Sequence, residues 1–289
     1  MNRRKGIILA GGSGTRLNPI TGYITKQLLP LYDKPMIFYP LSVLMLSGIK
    51  DVLIISAPRD LQSFKNLFSD GSDFGIKIEY AIQKKPEGIA QAFLIGKKFI
   101  GKSSVTLILG DNIFFGSSFT KKLIDANNKI EGATLFAYPV KNPSRFGVIN
   151  FDKKNRPLSI IEKPKFPKSN MAVTGLYFYD NSVVRIAENL KPSKRGELEI
   201  TDINKKFIKK KNIKIEILDR GFYWNDAGTF NSLLEISNVV QSFQKKHNSL
   251  ISLPEEIAFN NKWINKKQLK KNYLKYKNTE IFNYLKKFT

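Results

Sequence analysis

Short apolar runs alternate with amphipathic stretches through the first half of the chain. Four of these runs predict buried strands: Gly6–Ala10, Asp51–Ser56, Lys77–Ile82 and Val105–Leu109. Residues 88–100 instead place their apolar side chains on one helical face. Strands that alternate with helices in this way are typical of a parallel sheet.

The second half of the chain has a different pattern. Four apolar segments follow one another closely at residues 133–140, 146–152, 158–164 and 172–180, which predicts an antiparallel extension of the same sheet. We therefore expect an α/β fold, a Rossmann-like mixed and mainly parallel central sheet with flanking helices. After Thr229 the pattern becomes helical, with an apolar stripe formed by Leu233, Leu234, Ile236, Val239 and Val240.

The last part of the chain predicts a helical tail. We expect residues 1–240 to form the main body and residues 241–289 to pack on that body or on a neighbouring subunit. The tail is rich in lysine, but it keeps apolar side chains that need a partner surface: Trp263, Leu269, Tyr273, Ile281 and Leu285.

Composition narrows the possible functions. The chain of 289 residues has no cysteine, which excludes disulfides and thiolate chemistry and favours a cytoplasmic location. Its net charge of +24 comes from 48 Lys and Arg against 24 Asp and Glu. The lysines are spread along the chain, so we interpret them as solvated faces and expect neither a nucleic-acid nor a membrane partner. The single histidine, His247, lies in a lysine-rich helical segment and is expected at the surface.

The first apolar run ends in a glycine loop, Gly11-Gly12-Ser13-Gly14, followed by Thr15 and Arg16. The loop lacks the third small residue of the dinucleotide fingerprint and the Gly-Lys-Ser/Thr of a P-loop. Its backbone N–H groups and the forked guanidinium of Arg16 still suit phosphate oxygens. Lys26 follows in a loop, and two cations beside one such turn suit a polyphosphate. The alternative is a plain strand-to-helix turn with a surface arginine.

Carboxylates follow two other apolar runs. Asp111, next to Asn112, comes after the run that ends at Leu109, and Asp226 lies in the segment YWNDAGT. Carboxylates at strand ends lie where open α/β sheets bind ligands. Together they predict a site for Mg²⁺, which takes one or two carboxylates plus phosphate oxygens and water. Taken singly, each aspartate is also compatible with an ordinary turn.

Two further segments carry polar groups near predicted strand ends. Glu162 offers an acceptor for sugar hydroxyls, and Lys163 offers a cation for a phosphate. The alternative is that the two residues form a solvated ion pair. Gln83 has a side-chain amide that suits the edge of a pyrimidine base, and Gly88 opens the next helical segment. A surface amide is the alternative for Gln83.

Several motifs resemble one family. They are GIILAGGSGTRL, TKQLLPLYDKPMIFYPLSVLMLSGI, PEGIAQAF, LGDNIFFG, MAVTGLYFYD and RGELEITDIN. These stretches resemble bacterial glucose-1-phosphate thymidylyltransferases, the sugar nucleotidyltransferases that open dTDP-rhamnose synthesis. The likeness runs from Lys5 to about Phe259. The motif GGxGTRL is shared with relatives that transfer other nucleotides, whereas KQLLPLYDKPMI and RGELEITDIN are narrower.

The resemblance implies a reaction of dTTP with glucose 1-phosphate, which gives dTDP-glucose and pyrophosphate with Mg²⁺ as cofactor. It also implies a homotetramer with a second nucleotide-sugar site for feedback inhibition. Catalysis would rest on Arg16, Lys26, Asp111 and Asp226, the two aspartates being the metal ligands. The nucleotide would be bound by Leu9, Gly11, Gly12, Ser13, Gly14, Thr15, Gln83 and Gly88. The sugar phosphate would be bound by Asn112, Gly147, Glu162, Lys163 and Val173, in the antiparallel extension and beside it.

The chain departs from the family pattern at Asn18, Phe146, Asn225 and Ala227. Phe146 keeps an aromatic ring but lacks a hydroxyl donor, and Ala227 removes a possible hydrogen bond beside Asp226. Two other functions remain open: a related sugar nucleotidyltransferase that uses UTP, and a non-catalytic binder of anionic ligands that exploits the positive charge.

Overall fold

A parallel four-stranded unit forms the centre of the molecule. The structure is a computed structural model and describes residues 4–289. Strand β1 (Lys5–Ala10) lies between β4 (Asp51–Ser56) and β6 (Val105–Leu109), and β5 (Lys77–Ile82) extends the sheet beyond β4. All three of these pairings are parallel, as the alternating pattern predicts. The four expected strands are therefore confirmed.

Antiparallel strands extend the sheet on the β6 side. Strand β11 (Met171–Tyr179) pairs antiparallel with β6, and both β8 (Ala133–Pro139) and β9 (Gly147–Phe151) pair antiparallel with β11. The hairpin of β9 and β10 (Pro157–Glu162) ends this side of the sheet. The expected α/β class with its antiparallel extension is thus confirmed.

Several short segments form strands that the sequence pattern does not predict. They are β2 (Pro30–Leu31), β3 (Lys34–Pro35), β7 (Asn112–Gly116), β12 (Ile213–Ile217) and β13 (Phe222–Asp226). Strand β12 joins β8 in parallel, whereas β7 pairs with β13 and β2 with β3 outside the main sheet. These strands are short, and their positions depend on partners far away in the chain.

Helices cover both faces of the sheet. They are α1 (Phe38–Leu46), α2 (Leu61–Phe68), α3 (Gln91–Ile95), α4 (Lys97–Ile100), α5 (Phe119–Asn128), α6 (Ser182–Glu188), α7 (Ile200–Lys209), α8 (Phe230–His247), α9 (Pro254–Asn260), α10 (Lys266–Tyr273) and α11 (Glu280–Lys286). Because side chains alternate along a strand, neighbouring residues of β1 face different cores. Ile8 packs in the core with α1 and α5, and Ile7 packs in the core with α3 and α7.

Two local expectations need correction. The stretch of residues 88–100 forms two short helices that break at Gly96, and the first begins at Gln91 and not at Gly88. Leu234, which the periodicity assigned to the apolar stripe of α8, is 65% exposed. The buried face of α8 consists of Ile236, Val240 and Gln244 because only this side of the helix meets the body. His247 is exposed, as expected.

The tail packs on the body of the same chain. Leu269, Tyr273 and Leu285 belong to the same buried cluster as Ile8 of the central strand. Helix α8 crosses the expected boundary after residue 240, and that boundary stays a prediction. No helix within residues 4–289 combines the length and the apolar character needed to cross a bilayer.

A buried carboxyl marks the contact between the tail and the body. Glu255 is 1% exposed, and its Oε1 accepts a hydrogen bond of 2.6 Å from the hydroxyl of Tyr276. Its Oε2 is buried and has no hydrogen-bond partner among residues 4–289. Burial raises the pKa of Glu255, although Tyr276 and the charge of Lys34 oppose this effect. The folded state therefore binds this proton more tightly than the unfolded state does. Stability from this group is present below the unfolded pKa and is lost as pH rises through the folded pKa.

Glu255→Gln is expected to stabilise the protein at neutral pH by roughly 1 kcal/mol, because a neutral amide costs less to bury than a carboxylate. Thermal unfolding between pH 4 and pH 8 measures the effect, and the gain should shrink towards pH 4. The exposed Glu131→Gln serves as the control. A variant that is less stable than the wild type at pH 7 would contradict the prediction.

Candidate active site

The strand order of the sheet changes direction beside β1 at the centre of the molecule, which makes this a topological switch point. After β1 the chain continues to β4 on one side, whereas β6 flanks β1 on the other. A crevice forms outside the carboxyl ends of the strands at such a switch point, and ligands of open α/β sheets bind there. The glycine loop follows β1, and Gly110-Asp111 follows β6. A backbone hydrogen bond of 2.9 Å from the N–H of Gly110 to the carbonyl of Leu9 holds the two exits together.

The first cleft at this edge, which we call the glycine-loop cleft, has a volume of about 340 Å³. Its lining includes six of the eight residues expected to bind the nucleotide, which are Leu9, Gly12, Ser13, Gly14, Gln83 and Gly88. Lys26 and Asp111, both expected to be catalytic, also line it. Gly11 does not line it but stands behind Gln83. A Cβ on Gly11 would lie 2.1 Å from Oε1 of Gln83, so only glycine allows this amide to lie against the loop.

A second, larger cleft adjoins the first. We call it the hairpin cleft, because the β9–β10 hairpin borders it, and its volume is about 790 Å³. It contains the expected sugar-phosphate residues together with Thr15, Arg16 and both aspartates: Asp111, Asn112, Gly147, Glu162, Lys163, Val173 and Asp226. Asp111 lines both clefts, so it stands at their junction.

The two aspartates are brought together by a strand pair. Strands β7 and β13 run antiparallel with Asn112 opposite Asp226, and the N–H of Ala227 donates to the backbone carbonyl of Asp111 at 2.9 Å. Asp111 and Asp226, far apart in sequence, therefore converge on one cleft. Ala227 is fully buried among apolar side chains at this point.

The charges around the two carboxylates are unequal. Lys26 forms an ion pair with Oδ2 of Asp111. Burial by itself raises the pKa of Asp111, but the charge and hydrogen bond of Lys26 outweigh it, so the pKa of this carboxyl lies below its ordinary value. Burial raises the pKa of Asp226, and the negative charge of Asp111 raises it further. The cations near Asp226 offset these two effects only in part, so the pKa of this carboxyl lies above its ordinary value.

Two arginines lie near Asp226. Nη2 of Arg145 lies 3.4 Å from Oδ2 of Asp226. The guanidinium of Arg16 lies close to the same loop, since a Cβ on Gly228 would be 2.7 Å from Nη2 of Arg16 and 3.0 Å from Oδ2 of Asp226. Gly228 thus leaves room for the guanidinium beside the carboxylate. Arg16 itself is exposed and borders the hairpin cleft.

Asn112 is held by protein groups at both ends of its amide. Its Oδ1 accepts hydrogen bonds from Nε1 of Trp224 at 2.7 Å and from the N–H of Gly175 at 3.0 Å. Its Nδ2 donates to Oδ1 of Asp111 at 2.9 Å. Asn112, expected at the sugar phosphate, thus also orients Asp111. The ring of Phe146 packs against Trp224 with centroids 5.2 Å apart. Phe146, where the chain departs from the family pattern, therefore still contributes to packing.

A charged group that the sequence does not predict also lines the hairpin cleft. Arg195 lies within salt-bridge distance of three carboxylates: Glu162 at 3.7 Å, Glu197 at 2.6 Å and Glu199 at 3.3 Å. Thr201 donates to Oε2 of Glu162 at 2.5 Å. Apart from Glu162, these residues lie in the segment RGELEIT, a motif in which the sequence indicates no role for individual residues.

The two aspartates fit a hard divalent cation. Both carboxylates face one cleft, and the raised pKa of Asp226 reflects burial and a like charge that a cation would offset. In residues 4–289, no group of three or more His, Cys, Asp or Glu side chains is arranged to hold a metal. A metal at this point would therefore complete its shell with substrate oxygens and water, as Mg²⁺ does when it binds with nucleotides.

The fold and the paired clefts define a nucleotide-binding transferase, and a family profile described as nucleotidyl transferase matches residues 5–242. The chain belongs to this family. Among its relatives, the glucose-1-phosphate thymidylyltransferases of Neisseria meningitidis serogroup A and Xanthomonas campestris pv. campestris strain B100 are 58% and 51% identical. The alignments cover 92% and 94% of this chain and 92% of each relative.

Two solved structures of nucleotide-sugar enzymes are also similar to this chain. A crystal structure from Bacillus anthracis, described as a glucose-1-phosphate thymidylyltransferase in complex with a sucrose, has a TM-score of 0.76 and 40% identity, covering 82% of this chain and 94% of that chain. A UDP-glucose pyrophosphorylase complexed with UDP-glucose has a TM-score of 0.74 and 26% identity, covering 83% of this chain and 99% of that chain.

Proposed function

We propose that the protein transfers a thymidylyl group from dTTP to glucose 1-phosphate, forming dTDP-glucose and pyrophosphate. The observation that carries this proposal is the junction of the two clefts at Asp111, with base- and phosphate-binding groups on one side and the β9–β10 hairpin on the other. A nucleotide in the first cleft and a sugar phosphate in the second would meet beside the two aspartates. The names of the relatives support these substrates.

The reaction is an in-line displacement at the α-phosphorus. An oxygen of the sugar phosphate forms a bond to the α-phosphorus while the bond to the oxygen that bridges the α- and β-phosphorus breaks, and pyrophosphate leaves with that electron pair. The attacking oxygen is already anionic, so no general base is required. The main obstacle is the repulsion between two anions, which positioned cations and orientation overcome.

The side chains of this protein divide that task. Lys26 lines the glycine-loop cleft, and Arg16 follows the glycine loop at the border of the hairpin cleft. Both would hold the β- and γ-phosphates, and Lys163 would hold the phosphate of the sugar. Asp111 and Asp226 would hold Mg²⁺, which when bound neutralises part of the phosphate charge. We further propose that the enzyme acts in the cytoplasm as a homo-oligomer, a tetramer as in the family it resembles, with no nucleic-acid or membrane partner.

A uridylyl transfer is the second candidate. It is favoured by the similarity to the UDP-glucose pyrophosphorylase structure. Thymine differs from uracil by one methyl group, which is worth about 1–3 kcal/mol in an apolar pocket. UTP is therefore expected to react more slowly than dTTP, by roughly 10- to 200-fold in kcat/KM.

Pyrophosphate release from a panel of nucleoside triphosphates and sugar 1-phosphates tests the proposal. The expected result is the highest kcat/KM for dTTP with glucose 1-phosphate, with activity dependent on Mg²⁺. A higher kcat/KM for UTP would replace the first candidate with the second. No pyrophosphate from any pair, together with tight retention of DNA near physiological salt, would instead indicate a binder of anions.

A further inference from the structure

A chain of three hydrogen-bonded side chains leads from the surface to the glycine-loop cleft. Nε2 of Gln83 donates to Oε1 of Gln91 at 2.6 Å, and Nε2 of Gln91 donates to Oε2 of Glu87 at 2.7 Å. The backbone N–H of Glu87 also donates to Oε1 of Gln91 at 3.2 Å. Gln83 is 3% exposed and lines the cleft, whereas Glu87 is exposed.

Glu87, at the exposed end of this series of side chains, fixes the direction of the hydrogen bonds. A carboxylate only accepts hydrogen bonds and a backbone N–H only donates them. Gln91 must therefore turn its amide nitrogen towards the carboxylate of Glu87 and its oxygen towards the backbone N–H of Glu87. Its oxygen then remains the partner for the amide nitrogen of Gln83. A free amide can adopt either of two orientations. In this protein, groups outside the cleft fix the orientation of the Gln83 amide.

The fixed orientation determines what Gln83 offers to a ligand. Its Oε1 lies against the glycine loop, where Gly11 leaves space for it, and no donor within residues 4–289 binds this oxygen. One hydrogen of Nε2 is used by Gln91, and the other remains. Gln83 therefore presents a free acceptor at one defined position and a single donor beside it.

We propose that Gln91 and Glu87 are positioning residues that make the base site select pyrimidines with an imide edge over cytosine. Thymine and uracil carry an N3–H donor beside a carbonyl acceptor, whereas cytosine carries an N3 acceptor beside an amino donor. An amide that is free to rotate by half a turn pairs with either pattern. An amide held in one orientation pairs with one of them and leaves polar groups unpaired against the other.

This inference rests on the proposed nucleotide site and adds the class of base that the site accepts. It concerns a different contact from the thymine methyl group, because dTTP and UTP share the imide edge. The two glutamines and the carboxylate thus account for discrimination against dCTP and leave the choice between dTTP and UTP to other contacts.

Dissociation constants of dTTP and dCTP, measured by calorimetry on the full chain with Mg²⁺, test the inference without turnover. The wild type is expected to bind dTTP at least about 30-fold more tightly than dCTP. In Gln91→Leu, Gln83 loses its orienting partner, and the ratio is expected to fall below about fivefold. Gln62→Leu is the matched control, because Gln62 lies exposed on α2 with Asn66 as its partner.

A double variant separates orientation from packing. Glu87→Gln combined with Gln91→Glu exchanges the two groups, so a carboxylate at position 91 still accepts from Nε2 of Gln83. Its dTTP-to-dCTP ratio is expected to stay within about threefold of the wild-type ratio. If Gln91→Leu weakens both nucleotides equally, or if the double variant loses the ratio as Gln91→Leu does, the inference is overturned. A wild type that binds neither nucleotide would overturn the proposed function itself.

Discussion

Asp111→Asn is expected to lower kcat at least about 1,000-fold, roughly 4 kcal/mol in the activation free energy. Asp111 lines both clefts and is one of the two carboxylates proposed for the metal. Asparagine keeps the size of the side chain but has no charge for a cation. The change also leaves the ammonium of Lys26, which is 8% exposed, without its ion-pair partner. Binding of the metal and the position of Lys26 are therefore lost together.

Three measurements check this prediction. Pyrophosphate release gives kcat, Mn²⁺ binding followed by electron paramagnetic resonance reports the metal, and thermal unfolding shows that the fold persists. Asp125→Asn is the matched control, because Asp125 is exposed on α5 away from both clefts. Near-wild-type turnover of Asp111→Asn at ordinary Mg²⁺ concentrations would remove Asp111 from the site.

The central strands could be predicted because their pattern is local. Residues of β1, β4 and β6 are buried on both faces, so each appears in the sequence as a continuous apolar run. Strands β7 and β13 are different. Their pairing joins segments that begin at Asn112 and Phe222. A local sequence pattern does not predict a partner that lies so far away along the chain. The prediction for Leu234 on α8 is wrong for a related reason, because burial depends on which side of the helix contacts the rest of the protein.

The candidate site was predictable to a similar extent. The glycine loop and Asp111 follow recognisable strands, so topology alone places them at one edge of the sheet. Asp226 joins them through the pairing of β7 with β13, which the sequence does not predict. What the sequence could not give is the partner of each polar group. Asn112 is hydrogen-bonded to Trp224 and Asp111. Gln91 links Gln83 to Glu87 in the same way. Such contacts depend on distances of about 3 Å, which the spacing of residues along the sequence does not encode. Residue types predict the possible chemistry, and packing selects among the possibilities.

Arg16→Ala is expected to lower kcat about 100-fold, roughly 3 kcal/mol in the activation free energy. Arg16 follows the glycine loop, and its guanidinium borders the hairpin cleft beside Gly228. Negative charge grows on the departing pyrophosphate as the bond between the α-phosphorus and the bridging oxygen breaks. The planar guanidinium, with its fork of N–H donors, stabilises this charge. The effect should appear mainly in kcat, because that charge is greater in the transition state than in bound dTTP.

Arg16→Lys distinguishes charge from geometry. Lysine keeps the positive charge but lacks the fork that binds two oxygens at once, so it should recover only part of the loss, about tenfold. The exposed Arg185→Ala on α6 is the control and should retain full turnover. A rise in the KM for dTTP with unchanged kcat would mean that Arg16 holds substrate and transition state equally, and its role would then be binding alone. An intact fold is expected in all three variants, because the side chains of Arg16 and Arg185 are both exposed and contribute little to the core.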